Sequence, residues 1–248
     1  MDDRKKRRIN VLRVPVDVLR ESDIEECVKS LLVDGERHYI IFITLSDLLR
    51  ARRSTSYWQI LNGASLVLPV SKGILKGAKF LKKKIPSRYL PFSFIIRLMG
   101  ILDKYSKSVY LLGTNNKDLQ TSTDNIRTSF PKLKIVGRHS GYFSQSVGQN
   151  IVLAVRKASP SLLLAGKGIP GKSKWILKNR KHFSPGIYLW SGDCFDIFSG
   201  KKKRISSKAF DKGLEFLPSL IKKPWRIFRV FLYFWYLLLL LVYRIRGE

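Results

Sequence analysis

The stretch Ser108-Val109-Tyr110-Leu111-Leu112-Gly113 contains four consecutive apolar residues that lead directly into a glycine. An unbroken apolar run of this length is typical of a strand buried on both faces of a parallel sheet. A glycine at its end allows the tight turn through which such a strand passes into a helix. Residues 117–130, which follow, have a helical pattern. The stretch therefore predicts one strand–turn–helix unit.

Similar units occur on both sides of this stretch, each with a short apolar segment, a turn signal and a helical pattern. We predict strands near residues 40–44, 66–68, 109–112, 133–136, 162–165 and 187–190. Helices are predicted over residues 22–33, 48–61, 73–84, 92–105, 117–130, 145–158 and 172–180, and a short strand or hairpin over residues 9–17. This alternation indicates an α/β fold with a Rossmann-like parallel sheet and helices on both faces. Ligands of such sheets bind outside the carboxyl ends of the strands.

The composition narrows the class of protein. Hydrophobic residues make up 45% of the 248 residues and aromatic residues 12%, which excludes a disordered chain. The formal net charge of +29 favours an anionic partner: nucleic acid, a membrane surface or a phosphorylated substrate. Nucleic acid is the least favoured, because the cations are spread over the chain and no recognition motif is present. The two cysteines and three histidines have no metal-ligand spacing, so we expect neither a metal nor a cofactor.

The C-terminal part of the chain has a different character. Residues 230–242 form an uncharged apolar run, shorter than the ~20 residues that a spanning helix needs. Basic residues flank it on both sides: Lys222, Lys223, Arg226, Arg229, Arg244 and Arg246. This pattern predicts a helix that lies in or dips into an anionic membrane, and a buried helix of a soluble domain is the alternative. We therefore predict an α/β core over residues 1–200 and a basic appendage over residues 201–248, with its membrane-associating segment at residues 230–242.

Five short motifs occur in the same order as in the WecG/TagA/CpsF glycosyltransferases (glycosyltransferase family 26), which this chain resembles over about two hundred residues. The first is the strand that ends at Gly113. The others are, in order, Phe130-Pro131-x-Leu133-x-Ile135-Val136-Gly137 with Gly141-Tyr142-Phe143; Gly166-x-Gly168-x-Pro170 with Trp175-Ile176; Gly192-x-x-Phe195-Asp196-x-x-x-Gly200 with Arg204; and Gly213-Leu214-Glu215-Phe216-Leu217 with Pro224-x-Arg226-x-x-Arg229. Each motif is weak alone, but five in register indicate common ancestry and fold.

The resemblance implies a function in cell-surface polysaccharide synthesis. Members of this family transfer a sugar from a UDP-sugar donor to a polyprenyl-diphosphate-linked sugar. The expected location is the cytoplasmic face of the bacterial inner membrane, as a peripheral or monotopic protein on an anionic membrane. The resemblance leaves open whether the protein forms a homo-oligomer.

The chain departs from the family at the residues that serve chemistry. The family strand that corresponds to residues 66–69 ends in Pro-Asp-Gly-x-Gly, and its aspartate is the expected catalytic base. This chain has Val70 in place of the aspartate, Ser71 in place of the next glycine, and Lys172-Ser173 where the family has Gln-Glu. Valine cannot accept a proton, so the alternative function is that of a catalytically inactive relative acting as a membrane-bound partner or scaffold.

The resemblance also supplies candidate site residues. Thr44, Arg88 and Asp196 are the predicted catalytic residues, and Asp47 and Asp193 are the other carboxylates that follow strands. The predicted residues for binding the nucleotide-sugar are Gly113, Gly166, Gly168, Lys172 and Tyr142. Each has a plainer alternative. Asp196 can cap a turn, Arg88 can be an ordinary surface residue and Tyr142 can pack in the core. The cations Lys72, Lys172 and Lys174 can hold a diphosphate or simply be solvated.

Overall fold

A six-stranded sheet forms the main feature of the computed structural model, which describes residues 8–206, Phe210 and residues 229–247. Its strands are β3 (Arg37–Ile43), β4 (Leu66–Pro69), β5 (Ser108–Leu112), β6 (Lys134–His139), β7 (Leu162–Ala165) and β8 (Gly186–Trp190). They lie in the order β4-β3-β8-β7-β5-β6, and the pairs β3–β8, β8–β7, β7–β5 and β5–β6 are parallel. The prediction of a parallel α/β fold with six strands is confirmed.

The burial of the strands explains why the sequence predicted them well. Every residue of β7 is buried, as are Val109–Leu112 of β5 and Gly186–Leu189 of β8, so these strands read as continuous apolar runs. Strand β6 is an edge strand, and its residues alternate between exposed and half-buried. The carboxyl ends of β5, β6 and β7 carry the turns that contain most of the predicted binding residues.

Helices surround the sheet. They are α1 (Ile24–Val33), α2 (Leu45–Arg53), α3 (Thr55–Asn62), α4 (Lys72–Phe80), α5 (Pro91–Lys104), α6 (Asn116–Ser129), α7 (Gln145–Ala158), α8 (Ser173–Asn179), α9 (Cys194–Phe198) and α10 (Arg229–Ile245). The single helix predicted over residues 48–61 was wrong, because α2 and α3 are separate. Ser54 separates them: its backbone is extended, and its hydroxyl accepts a hydrogen bond from the Tyr57 amide, as an N-cap does.

The predicted N-terminal hairpin is present as β1 (Arg8–Val11) and β2 (Val14–Asp17). Its turn residues Leu12 and Arg13 both have positive φ, which is the geometry that matches the twist of a two-residue hairpin. The carboxylate of Asp17 is almost fully buried, where it pairs with Arg8 at 2.8 Å and accepts a hydrogen bond from the Val67 amide at 2.6 Å. This buried pair joins the hairpin to the start of β4.

The chain divides into two compact units. The first comprises Met1–Glu21, Ile41–Leu90 and Ile205–Glu248, and the second comprises Ser22–Ile40 and Pro91–Arg204. The domain boundary that we predicted near residue 200 stays a prediction. The tail motif of residues 213–217 and 224–226 lies outside the described residues.

Helix α10 belongs to the first unit and packs there on α4. Its buried side chains are Tyr236, Leu239, Leu240 and Tyr243. The helices come close because α4 has glycine at positions 73 and 77: a Cβ atom at Gly77 would lie 1.8 Å from the Tyr236 hydroxyl. No helix in the described part of the chain is both long enough and apolar enough to cross a membrane.

Candidate functional site

Two of the predicted catalytic residues, Thr44 and Arg88, lie in the first unit, at or near the ends of β3 and β4. Thr44 follows β3 directly and caps α2. Its hydroxyl donates to Asp47 Oδ2 at 2.6 Å, its backbone amide donates to the same oxygen at 2.9 Å, and the Asp47 amide donates back at 3.4 Å. This is a capping box with aspartate in the third helical position. Thr44 and Asp47 therefore form one hydrogen-bonded pair at the end of β3.

Val70 stands beside this pair, at the end of β4. The Val70 amide donates to the carbonyl of Ile43 at 2.9 Å, and the hydroxyl of Ser71 accepts from the Leu45 amide at 3.0 Å. The two turns are thus joined by backbone groups and by the Ser71 side chain. The side chain of Val70 is half-buried and offers no polar atom at the position where the resemblance implies an aspartate.

Arg88 is held by an aromatic residue of the same unit. Its guanidinium carbon lies 3.6 Å from the centre of the Phe210 ring, and a guanidinium nitrogen donates to the Phe210 carbonyl. The next residue, Tyr89, donates its amide to the carbonyl of Pro69 at 3.2 Å. Arg88 is therefore not an ordinary surface residue: it is half-buried, and its chain segment is bonded to the end of β4.

The second unit contains a junction of glycines where β5, β6 and β7 end. A Cβ atom at Gly113 would lie 2.8 Å from the Gly166 Cα, and one at Gly141 would lie 2.9 Å from the Gly113 Cα. The Thr114 amide donates to the Lys167 carbonyl at 2.7 Å, and the Gly141 amide donates to the Thr114 carbonyl at 2.8 Å. Only glycine permits backbones to approach so closely. The structure thus brings Gly113, Gly166 and the turn at Gly141 together.

The glycine junction also positions Asp196. The ring of Phe195 packs where Cβ atoms of Gly113 and Gly166 would otherwise be, at 3.0 and 2.4 Å. Phe195 is buried, so the first turn of α9 is fixed and Asp196 lies next to the junction. The Asp196 carboxylate, 13% exposed, pairs with Lys167 at 2.5 Å. The hydrogen bond to Asp196 raises the pKa of Lys167, so the lysine stays charged.

Tyr142 and Lys172 complete the predicted binding residues. The Tyr142 ring lies against Gly168, 3.1 Å from where its Cβ would be, and is 63% exposed. The alternative that Tyr142 packs in the core is therefore wrong. Lys172 is exposed and precedes α8 with φ +55°, an uncommon conformation for a lysine. Exposed aromatic and cationic side chains thus flank the glycine junction.

The remaining carboxylates of this region are also paired with lysines. Asp118 pairs with Lys201 at 3.0 Å, which lowers the pKa of Asp118, and Asp193 pairs with Lys202. Among the described residues, no group of three or more histidine, cysteine or acidic residues is close enough together to hold a metal ion.

Lys167 is the functional candidate that the sequence did not predict. It occupies the variable position of Gly166-x-Gly168, a position to which we assigned no role. The feature of the sequence that could have indicated Lys167 is its position between two glycines that follow a buried strand, at the carboxyl edge of a parallel sheet. Its partner Asp196 is 29 positions away and belongs to a different turn, so the pairing was not predictable from spacing.

A parallel α/β sheet with glycine-rich turns, a lysine–aspartate pair and exposed cations at its carboxyl edge is typical of α/β proteins whose ligands bind at that edge. The model of the Glycosyl transferase WecG/TagA/CpsF family matches residues 9–248, and the chain belongs to this family. The resemblance that the five motifs indicated is thereby confirmed.

Two similar proteins support this assignment to the family. The chain is 25% identical over 199 residues to the N-acetylglucosaminyldiphosphoundecaprenol N-acetyl-beta-D-mannosaminyltransferase of Bacillus subtilis (strain 168), covering 77% of each chain. It is 20% identical over 199 residues to the enzyme of the same name from Staphylococcus aureus (strain NCTC 8325 / PS 47), covering 79% of this chain and 78% of that one. The names of these relatives specify a lipid-diphosphate-linked sugar as the acceptor.

Proposed function

We propose that this protein transfers a sugar from a UDP-sugar donor to a polyprenyl-diphosphate-linked sugar, at a rate limited by the absence of a carboxylate at position 70. The family match over residues 9–248 carries the proposal. Named relatives are N-acetylmannosaminyltransferases, so a UDP-linked N-acetylmannosamine is the donor to test first. The glycine junction with Lys167 and Asp196 is the proposed place of the nucleotide-sugar.

The transfer requires two kinds of chemistry. The departing UDP develops negative charge on its diphosphate, which the exposed Lys172 stabilises in this proposal. The acceptor hydroxyl must lose a proton, and a positioned carboxylate is the usual base for that step. Removal of a general base typically slows a reaction by about 10²–10⁴-fold. We therefore expect the protein to keep the fold of the family and to catalyse the transfer slowly.

One observation favours a second function. The side chain of Val70 has no polar atom, whereas the turns around it keep the hydrogen bonds of the Val70 amide, the Ser71 hydroxyl and the Thr44–Asp47 pair. A site that keeps its backbone while lacking its base suits an inactive relative that binds the same ligands or partners. In that case, the chain acts as a membrane-bound partner or scaffold of an active transferase.

Replacement of Val70 separates the two functions. Transfer of radiolabelled N-acetylmannosamine to a polyprenyl-diphosphate-linked N-acetylglucosamine is measured for the unmodified protein, Val70→Asp and Val70→Asn. Asparagine matches aspartate in size but cannot act as a base, so only Val70→Asp should raise the rate, by about 10²-fold or more. No transfer by any of the three proteins would favour the scaffold function. Fast transfer by the unmodified protein would require another base.

We further propose that α10 holds the protein on the cytoplasmic face of an anionic membrane, as a peripheral or monotopic anchor. From residue 231 to residue 242 its exposed side chains are apolar or aromatic, and the most exposed apolar side chains of the helix are Phe231 (71%), Phe234 (63%) and Ile245 (78%). The exposed Lys76 and Lys79 of α4, the neighbouring helix in the same unit, provide positive charge beside them. Apolar side chains with a basic border suit the interface of anionic lipids.

Vesicle binding tests this anchor. Phe234→Glu combined with Leu241→Glu should abolish binding to vesicles that contain phosphatidylglycerol, because both exposed side chains would have to enter the interface charged. Val33→Glu is the matched control, since Val33 is an exposed apolar residue of α1. Binding that survives the first change at high salt would assign the membrane contact to another part of the chain.

A further inference from the structure

A cleft on the second unit is lined by none of the residues that we predicted to be catalytic or to bind the nucleotide-sugar, although it adjoins the loop that carries Lys172. It has a volume of about 300 Å³, within the lower range for ligand sites. Side chains of α7, α8 and the two loops before them line it. They include Phe143, Gly148, Pro170, Lys174, Trp175 and Lys178. We propose that this cleft is a second binding site, specific for a sugar phosphate.

Two aromatic rings form walls suited to a sugar. The centres of the Phe143 and Trp175 rings are 5.7 Å apart, and the ring planes are inclined at 65°. Both side chains are half-buried and line the cleft, so part of each ring is accessible to a ligand. A sugar ring has apolar C–H faces that pack on aromatic faces, while its hydroxyls reach polar groups at the rim. The Trp175 indole N–H has no hydrogen-bond partner in the part of the chain that the structure describes, so it can donate to a ligand.

The aromatic walls are rigid because buried rings support them. Trp175 lies 6.1 Å from Phe183, and Phe183 stacks on Tyr188 at 5.2 Å, measured between ring centres. Phe183 and Tyr188 are both fully buried. A site whose walls are already in place loses little conformational entropy when a ligand binds. The cleft is therefore preorganised.

The charge around the cleft selects an anion. Lys174 and Lys178 are exposed, lie one helical turn apart on α8 and line the same cleft. Residues 125–192, which include the whole lining, contain twelve lysines and arginines but no aspartate or glutamate. No carboxylate of that stretch competes for these lysines, and a phosphate group can accept hydrogen bonds from both. The combination of aromatic walls with paired lysines specifies a sugar that carries phosphate.

Calorimetry on the full chain in detergent tests the proposal with glucose 1-phosphate, glucose and inorganic phosphate as probes. Glucose 1-phosphate should bind at least about tenfold more tightly than either glucose or phosphate, because only it contacts both walls and lysines. Lys174→Gln combined with Lys178→Gln should weaken this binding about tenfold. Lys117→Gln combined with Lys132→Gln removes the same charge from exposed positions outside the cleft and should leave the affinity unchanged. Equal weakening by both pairs would overturn the proposal.

Gly148 offers a variant that separates binding from folding. It is buried in α7, and an added Cβ would lie 3.6 Å from Trp175 Nε1 and 3.7 Å from Phe143, which is ordinary contact. Gly148→Ala should therefore raise the melting temperature, as alanine does in a helix, and still weaken glucose 1-phosphate binding by narrowing the cleft. Unchanged affinity in this variant would exclude the cleft as the site.

A phosphorylated sugar can reach the cleft as a free monoester or as a unit of a phosphodiester-linked polymer. Competition between glucose 1-phosphate and a phosphodiester-linked oligosaccharide distinguishes these sources. Tighter binding of the oligosaccharide would assign the cleft to a polymer, and tighter binding of the monoester would assign it to a free sugar phosphate. If neither bound, the proposal would be wrong. None of these measurements requires transferase activity, so failure of the transfer assay leaves this test intact.

Discussion

The hydroxyl of Tyr236 donates a hydrogen bond of 3.0 Å to the backbone carbonyl of Gly73, 163 positions earlier in the chain. The Tyr236 ring lies over Gly77, one turn further along α4, and the buried face of α10 packs around this contact. Docking of α10 thus depends on two glycines in one helix. This dependence leads to a first prediction.

Gly77→Ala should displace α10, because the added methyl group would lie 1.8 Å from the Tyr236 hydroxyl. We expect a loss of about 1–3 kcal/mol in the free energy of unfolding, measured with urea, and faster proteolysis of α10. Gly100→Ala in α5 is the control, since its Cβ would meet only Phe130 at 4.0 Å. Adding Tyr236→Phe should recover part of the loss by removing the obstructing oxygen. Equal effects of Gly77→Ala and Gly100→Ala would contradict this packing.

Glu25 should make stability depend on acid pH. Hydrogen bonds from Lys104 and then Tyr105 hold the pKa of Glu25 at about 2 in the folded state, against 4.5 for a free glutamate. As the pH falls, the unfolded chain binds this proton before the folded chain does. The contribution of Glu25 to the free energy of unfolding is therefore present above pH 4.5 and disappears as the pH falls towards 2. Melting temperatures of Glu25→Gln and the unmodified protein should therefore converge over this range. Glu26→Gln, at the exposed neighbouring position, should keep the pH dependence of the unmodified protein.

Gly141→Ala should disrupt the glycine junction. Its Cβ would lie 2.5 Å from the Lys167 carbonyl oxygen and 2.9 Å from the Gly113 Cα, both backbone atoms that cannot turn aside. We expect a loss of about 1–3 kcal/mol in unfolding free energy and weaker UDP binding by calorimetry. Gly200→Ala, which has φ +78° but open space around it, tests backbone conformation without close approach. If Gly141→Ala lowers the unfolding free energy no more than Gly200→Ala does, the turns of the junction can move apart at little cost.

The Lys167–Asp196 pair should show a measurable coupling energy. Its side chains are 32% and 13% exposed, so solvent screens the pair only in part. We expect about 1 kcal/mol of coupling in a double-mutant cycle of Lys167→Met and Asp196→Asn. The same cycle at Lys202 and Asp193, which are far more exposed, should give about 0–0.5 kcal/mol. Transfer assays on Asp196→Asn then report whether this carboxylate serves as the base that position 70 lacks.

The sequence predicted those parts of the fold in which local pattern and burial agree. Strand β7 was predicted with its final bounds because all four of its residues are buried and a glycine follows them. The break at Ser54 was missed, because the apolar spacing of α2 and α3 continues across a residue whose capping role depends on its backbone conformation.

The candidate site was predictable as a set of turns but not as a set of contacts. Gly113 and Gly166 were predicted from the resemblance, in motifs that follow strands, and parallel strands end at one edge of a sheet. The pairing of Lys167 with Asp196, the ring of Phe210 on Arg88 and the exposure of Tyr142 depend on residues far apart in sequence. Such contacts are set by tertiary packing, which single-residue patterns do not encode.

The bonds around Val70 have an evolutionary consequence. The turns after β3 and β4 are joined by the Val70 amide and the Ser71 hydroxyl, and the Thr44–Asp47 pair closes the first turn. None of these bonds uses the side chain at position 70. An ancestor could therefore exchange aspartate for valine there without weakening the fold. The reverse exchange would break none of these bonds either, so a carboxylate at position 70 could be lost or regained by a change in a single codon, without a different architecture.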